Sequence, residues 1–470
     1  MLKTDYNKLT MTDIAELRTY IADPDRFITK PTEHWDHDQM KQVRAMPSLV
    51  IQPVNNEEVM KVVKYANDHR IPLVPRGNST GLMGANLTVH KGISLDMVKM
   101  NKVLDYDPGS LTMTVQAGIR LNDMDKFLAD KPFTYMPAPA MHWATIGGNV
   151  NTNAGGLKAI KYGVTREHIR ELKVVLAAGK LYHFGSKAVK ASSGYSLKDL
   201  IIGSEGTLGV VTEVTVRLYP RPKETINAVI PFDTLDHAIE SVPAIQASGV
   251  VPTTVEFMGR KVLNLWEKTY EDHFPIENGD GFIIIGLDAF TKEELKAQMD
   301  AIEKVTSQMH GEKPIVMEAD SPEAKKIWEA RESLLFAIQK STPQMDEIDV
   351  SVPINHIPDV LHRINELEKE ENIRIPNFGH AGDGNLHIYV CSDEMTPDEF
   401  NKKMNKVVSE LYKVARNVDG NMSGEHGVGY ARKDFFEQFY GKDMLELMRK
   451  IKRTLDPHGI INPDKIFPIK

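Results

Sequence analysis

Two histidines, His380 and His387, stand on either side of Gly382, Asp383 and Gly384 in the stretch "NFGHAGDGNLHIYV", residues 377–390. Residues seven apart share a face of a continuous helix, but Gly379, Gly382 and Gly384 make a helix costly here. The two imidazoles converge if Asp383-Gly384 turns the chain and "LHIYV" returns as a strand. Two imidazoles and a carboxylate hold a zinc-like divalent metal at about 2.0–2.2 Å and leave a position open for substrate. Zinc, iron and manganese all suit that donor set. The third ligand is expected in "SGEHGVG", where Glu425 and His426 are neighbours. Adjacent side chains diverge by about 100° on a helix and oppose each other on a strand, so one binds metal while the other faces elsewhere. A polar hairpin with a surface histidine explains His380 taken alone. Four such residues in glycine-rich settings favour the metal, whereas His34, His37 and His458 lack such company and read as exposed or structural.

A cation belongs to the same chemistry. In "SPEAKKIWEARESLLFAIQK", Ser321 caps a helix, Pro322 opens it, and Ile327, Leu334, Leu335 and Ile338 form its apolar stripe. Arg331 falls on that stripe. Either its head snorkels to water past the core, or its guanidinium is held for bidentate pairing with a substrate carboxylate.

Three glycine-rich stretches precede these groups: "PRGNSTGLMG" (75–84), "ATIGGNVNTNAGGLKAIKYG" (144–163) and "GSEGTLGVVTEV" (203–214). Glycine and asparagine accept positive φ and leave backbone N–H groups uncovered, so a strand ending in such a run can wrap a diphosphate. Arg76 adds a positive charge to the first. None is a Walker loop or a GxGxxG turn between strand and helix.

The elements that must position these groups follow from pattern. Residues 1–45 form an outer arm of short polar helices, and residues 46–222 start as βαβ and continue through "GISLDM", "TMTVQAG", "IRELKVVLA" and "GVVTEVTVRLYP". Prolines at 220–222 mark a boundary. Residues 223–410 run strand, helix, strand twice over, which suits an α+β domain with an antiparallel sheet covered by helices on one face. Residues 411–470 return to glycine-rich turns and helix. The 470 residues carry 57 lysines and arginines against 65 acids, a net charge of -8 without a basic block, which sets nucleic acid aside. The one cysteine, Cys391, permits neither an internal disulfide nor an iron–sulfur cluster of the chain's own and fits a reducing cytoplasm. No apolar run reaches about 18 residues, so membrane association is expected to be peripheral or through a partner.

In this order, the three glycine stretches resemble the flavin-binding domain of the vanillyl-alcohol oxidase and p-cresol methylhydroxylase superfamily. The later "GHAGDGNLH", "SGEHGVG" and "INPDKIF" are similar to its branch of D-lactate, glycolate and D-2-hydroxyglutarate dehydrogenases. The resemblance covers about residues 40–468. It implies a two-subdomain FAD-binding domain of the p-cresol methylhydroxylase type, joined to a substrate (cap) domain. It places the pyrophosphate on Pro75, Arg76, Gly77, Asn78, Ser79, Thr80 and Gly81, the flavin on Thr145, Gly147, Gly148, Asn153, Gly155 and Gly156, and the ribityl and adenine parts by Glu205, Gly206 and Val211. Asn462 of "INPDKIF" joins that cofactor set. Members with covalent flavin usually supply a histidine near the first loop; Asn78, Ser79 and Thr80 stand here, so a non-covalent FAD is expected. The resemblance further gives Glu425 to the metal with His380 and His387, His426 to the reacting hydroxyl, and Arg331 to the substrate carboxylate.

Oxidising a 2-hydroxy acid removes a proton from oxygen and a hydride from C2, work that a metal, a histidine base and FAD divide. Relatives that take D-2-hydroxyglutarate offer a hydroxyl and a lysine to its second carboxylate; the matching places hold Leu335 and Glu347, which points to D-lactate first and glycolate second. Electrons are expected to leave to an electron-transfer flavoprotein, an iron–sulfur subunit or a quinone system, with homo- or hetero-oligomers both open. Two readings of other classes are a metal hydrolase, which leaves the glycine stretches unexplained, and a flavin-binding electron-transfer subunit without a substrate.

Overall fold

The computed structural model describes residues 5–41, 43–137 and 139–468. The chain forms two compact units, the first drawn from 1–154, 164–221 and 425–470, the second from 155–163 and 222–424.

In the first unit, β1 (Phe27–Ile28), β2 (Leu49–Ile51), β3 (Leu73–Arg76) and β4 (Ile93–Asp96) form a sheet in the order β1-β2-β4-β3, with β2, β4 and β3 parallel. The helix Asn56–Asp68 joins β2 to β3, its first turn capped by the Asn55 side chain. Its Val59, Val62, Val63 and Ala66 recur at helical spacing and pack with Leu49, Ile51, Leu73 and Ile93. The N-terminal arm is part of this unit, because Leu17 and Ile21 lie in the same core. Next come β5 (Val103–Asp107), β6 (Thr112–Gln116), the two-residue β7 (Phe133–Thr134), β8 (Ile169–Val175), β9 (Leu181–Gly185), β10 (Val210–Arg217) and β11 (Tyr219–Pro220). An antiparallel sheet runs β5-β6-β10-β8-β9, and β7 pairs with β11. The edge strands β5 and β9 escape a reading by apolar pattern because most of their residues are only partly covered.

The second unit is built on β12 (Glu224–Phe232), β13 (Thr254–Gly259), β14 (Gly281–Ala289), β15 (Ile315–Glu318), β16 (Gln344–Ser351), β17 (Asn377–His380) and β18 (Asn385–Ser392), an antiparallel sheet in the order β15-β12-β14-β13-β17-β18-β16. On one face, Met258, Phe282, Ile284, Phe378 and Tyr389 pack with Val262, Leu263 and Trp266 of the helix Arg260–Tyr270 and Leu334, Leu335 and Ile338 of the helix Pro322–Lys340. The other face is covered too. Gly259 and Gly281 lie directly under Leu235 of the helix Leu235–Glu240, where a Cβ on Gly281 would come within 2.6 Å of the Leu235 Cα. Cover on both faces, rather than on the single face that the strand–helix alternation suggests, follows from β13 and β14 being buried along their whole length. The helix Pro397–Asn417 belongs to this unit, which extends to Gly424, and Asn421 bridges to Ser351 at the end of β16.

Candidate functional site

Antiparallel register places a row of buried polar groups on one face of the second unit's sheet. Phe378 is opposite His387, His380 opposite Asn385, Asp349 opposite His387, Glu347 opposite Tyr389, and Met258 opposite Phe378. Side chains alternate along a strand, so Glu256, His380, His387, Asn385, Glu347 and Asp349 point the same way. The His380 and His387 rings meet edge to face with centroids 5.0 Å apart. The four-residue turn 381–384 joining β17 to β18 brings them there, as the Asp383-Gly384 pair suggests.

Gly384 holds that turn in a conformation other residues resist. Its φ is +79°, and a Cβ would stand 1.9 Å from the Val352 carbonyl oxygen. The left-handed backbone alone costs a side-chain-bearing residue about 1–2 kcal/mol, and the oxygen cannot move away because the Val352 N–H donates to the Gly384 carbonyl at 3.0 Å. Gly384→Ala should therefore displace both histidines and lower the content of the metal expected on them, while FAD content stays at the wild-type level. Metal analysis and flavin absorbance on one sample check this; equal loss of both would contradict it.

His380 Nδ1 is 2.6 Å from Glu256 Oε1. A carboxylate there accepts the Nδ1 hydrogen and leaves the lone pair on Nε2, the form in which imidazole binds a metal. The other oxygen of Glu256 takes Arg331, whose Nε donates at 2.8 Å with Nη2 at 2.5 Å. Arg331 is 6 % exposed, so it does not snorkel; its Cζ lies 4.6 Å from the Phe378 ring centroid. Because Nε and Nη2 crowd one oxygen, the Nη2 hydrogens find no well-aligned acceptor among the described residues, which suits a second carboxylate. Glu256 has no local sequence signal connecting it to His380, 124 residues away. A lone acid in the otherwise uncharged, fully buried strand "TVEFMG" is the clue that could have found it.

Further along the face, Glu347 is wholly buried with Oε1 4.0 Å from His387 Nδ1. Burial and the Glu347 carboxylate push the Tyr389 phenol well above its usual range. Asp349 accepts from Asn385 Nδ2 at 2.5 Å, Ser423 Oγ at 2.7 Å and the Gly424 N–H at 3.0 Å. Gly424 lies against Asn385, leaving no room for a Cβ. Asp349 thus fixes the residue that immediately precedes Glu425. Glu425 and His426 are in neither helix nor strand, so the divergence expected of neighbours does not apply: His426 Nε2 is 3.4 Å from Glu425 Oε1.

In the first unit, parts of all three glycine stretches come together. A Cβ on Gly77 would meet Thr145 Oγ1 at 2.2 Å, and one on Gly206 would meet the Pro75 ring at 2.8 Å. Gly147 lies on Ala117, while Thr145 caps the helix Ile146–Thr152 through the Gly148 N–H and Asn153 ends it in the left-handed conformation. In the first loop, Asn78 Nδ2 donates to the Trp143 carbonyl and Ser79 Oγ to that of His37; Thr80 and Gly81 follow in the same loop. Asn462 Nδ2 donates to the carbonyls of Glu205 and Ala85. Around this convergence, Arg76 Nη1, Asn149 Nδ2, Ser204 Oγ and Asn462 Oδ1 are buried with no hydrogen-bond partner among the described residues. Buried polar groups are normally paired, so close backbone and unmet donors and acceptors together fit a polar cofactor. Val211 sits in the core of the second sheet, and Gly155 and Gly156 open the segment assigned to the other unit.

Glu205 serves this region as a cap, its carboxylate accepting the Val428 and Gly429 N–H groups at 2.7 and 2.8 Å. Burial pushes its pKa up to about 7 from 4.5 against those hydrogen bonds. Between these values the folded protein keeps a proton that the unfolded chain releases. This contribution is full below pH 4.5 and is lost as pH rises towards 7, by at most about 1.4 kcal/mol per unit. Lys465, pushed down to about 7 by burial, acts above that window. Glu205→Gln should gain on the wild type in thermal stability as pH rises from 5 to 7; a difference constant across that range would refute it.

Family models and relatives make the chain a flavin-dependent oxidoreductase. A model of the FAD binding domain matches residues 47–185, and one for "FAD linked oxidases, C-terminal domain" matches residues 221–466. The chain belongs to the FAD-linked oxidase family. It is 37% identical to a D-lactate dehydrogenase of Anaerostipes hadrus, over 99% of both chains, and 34% identical to a glycolate oxidase subunit of Bacillus subtilis, over 97% of both. A D-2-hydroxyglutarate dehydrogenase of Stutzerimonas stutzeri is 31% identical over 97% of this chain and 100% of its own length. Among solved structures, p-cresol methylhydroxylase superposes with a TM-score of 0.79 at 17% identity, covering 99% of each chain, and confirms the fold. Among the described residues no helix is long and apolar enough to cross a membrane.

Proposed function

We propose that this FAD-linked oxidoreductase oxidises a small D-2-hydroxy acid to the 2-oxo acid, with D-lactate its first substrate and glycolate its second. The observation that carries the reading is the buried polar face of the second unit, where the His380 and His387 imidazoles cross and His380 shares the Glu256 carboxylate with Arg331. When bound, FAD takes up the C2 hydride and a divalent metal, zinc, iron or manganese, acidifies the substrate hydroxyl.

His380, His387 and Glu425 hold the metal. The fixed Nδ1 of His380 supports that role, as does Asp349, the register partner of His387, which anchors the chain one residue before Glu425. Arg331 holds the substrate carboxylate and thereby orients C2, and His426 accepts the hydroxyl proton. Pro75 to Gly81, Thr145, Gly147, Gly148, Asn153, Gly155, Gly156, Glu205, Gly206, Val211 and Asn462 form the non-covalent FAD site. Electrons then pass to a protein or quinone acceptor.

The choice of a monocarboxylate rests on Leu335 and Glu347. Glu347 is buried beside His387, and a second substrate carboxylate about 4 Å from it would be repelled by about 4 kcal/mol at an effective dielectric of 20. Half of that is a discrimination of roughly 30-fold. We therefore expect kcat/KM for D-lactate to exceed that for D-2-hydroxyglutarate by at least this factor. The reverse order in steady-state assays of one preparation would sink the substrate assignment.

A further inference from the structure

We infer that Glu256 is a positioning residue that aligns the metal ligand His380 and the substrate arginine Arg331 together, one with each carboxylate oxygen; this rests on the function proposed above. A buried arginine needs a counter-charge, and one oxygen of Glu256 in a salt bridge would meet that need. The second oxygen goes further, since at 2.6 Å from His380 Nδ1 it sets which ring nitrogen carries the lone pair. Glu256 is 1 % exposed on β13, the strand adjacent to β17, so neither water nor rotation about a flexible loop blurs its placement. The register supports this: Met258 faces Phe378, so two residues on, Glu256 faces His380. The Arg331 guanidinium is then pinned between Glu256 and the face of Phe378. Metal binding and carboxylate recognition are thus anchored to one rigid point.

Glu256→Gln separates this role from simple charge balance. His380 and Arg331 stand at different oxygens of Glu256, and an amide puts an NH2 donor in place of one of them, so it cannot accept from both where they stand. Zn²⁺ affinity is measured by competition with a chromophoric chelator on the flavin-loaded protein, and KM and kcat for D-lactate on the metal-replete enzyme. Glu256→Gln should bind Zn²⁺ about 10- to 100-fold more weakly, the usual cost of losing an outer partner of a ligand histidine, and show a KM at least tenfold higher, with FAD content unchanged. Glu256→Asp keeps the charge one methylene short and should recover part of the KM through Arg331. Wild-type Zn²⁺ affinity in Glu256→Gln, whether or not KM rises, would leave Glu256 as the counter-charge of Arg331 alone and overturn the proposal. If that variant does not fold, Glu256→Asp decides: weakened Zn²⁺ binding supports the proposal, and wild-type values overturn it. Wild-type protein that takes up no metal, or whose flavin no 2-hydroxy acid reduces, would instead refute the functional reading beneath it.

Discussion

His426→Gln is expected to slow flavin reduction by D-lactate by about 10²- to 10⁴-fold, the range for loss of a general base, with FAD and metal content unchanged. Glutamine approximates the size and polarity of the imidazole but cannot take up a proton at neutral pH. His426 is mostly buried in an irregular segment, with Nε2 3.4 Å from Glu425 Oε1, so the proton acceptor and the proposed metal ligand are adjacent in space as well as in sequence. A group that acts on the proton in flight, not on the bound ground state, should leave substrate affinity nearly unchanged and lower the rate. Rapid-mixing reduction of the flavin over a range of D-lactate concentrations reads the two separately. A variant within about threefold of the wild-type rate, a loss too small for a general base, would remove His426 from the role.

His387→Ala should weaken metal binding by about two orders of magnitude or more and abolish metal-dependent reduction without expelling FAD. Structural zinc sites with four ligands are worth about 10–16 kcal/mol, so one ligand accounts for about 3 kcal/mol, a factor above 100. His387 is 5 % exposed in the middle of β18, with neighbours set by register: Phe378 on one side, at a centroid distance of 5.5 Å, and Asp349 on the other. Alanine there also leaves Glu347 and Asp349 facing a vacated pocket, so Tm should fall as well. His387→Gln keeps volume and polarity and isolates the ligand effect. Chelator competition provides the measurement; unchanged affinity in both variants would show that the metal, if bound, lies elsewhere.

The hairpin was legible because its signals are local: glycines that forbid a helix, a turn pair and a returning apolar strand all lie within fourteen residues. The βαβ start and the central strands of both sheets were legible through apolar periodicity, whereas the half-exposed edge strands β5 and β9 carry little of it. Glu256 and Asp349 were missed for a different reason. Each is an acid in a strand whose partners come from distant parts of the chain, His380 and Arg331 for Glu256 and Asn385, Ser423 and Gly424 for Asp349, which no local pattern encodes. Arg331 was visible as a charge on an apolar stripe, but the choice between snorkelling and pairing depended on Glu256. The convergence of Gly77 on Thr145 and of Gly206 on Pro75 is likewise a property of the folded unit; the glycines show only that close approach is possible.

A small D-2-hydroxy acid should reduce the FAD of this protein only when a divalent metal is bound. This is tested most directly by anaerobic addition of D-lactate to two portions of one preparation, one stripped of metal by a chelator and one reloaded with Zn²⁺, Fe²⁺ or Mn²⁺, while the flavin absorbance is followed. Rapid bleaching is expected in the reloaded portion and little in the stripped one, with the response restored when metal is returned. Equal bleaching in both portions, or none in either with D-lactate and glycolate alike, would contradict it.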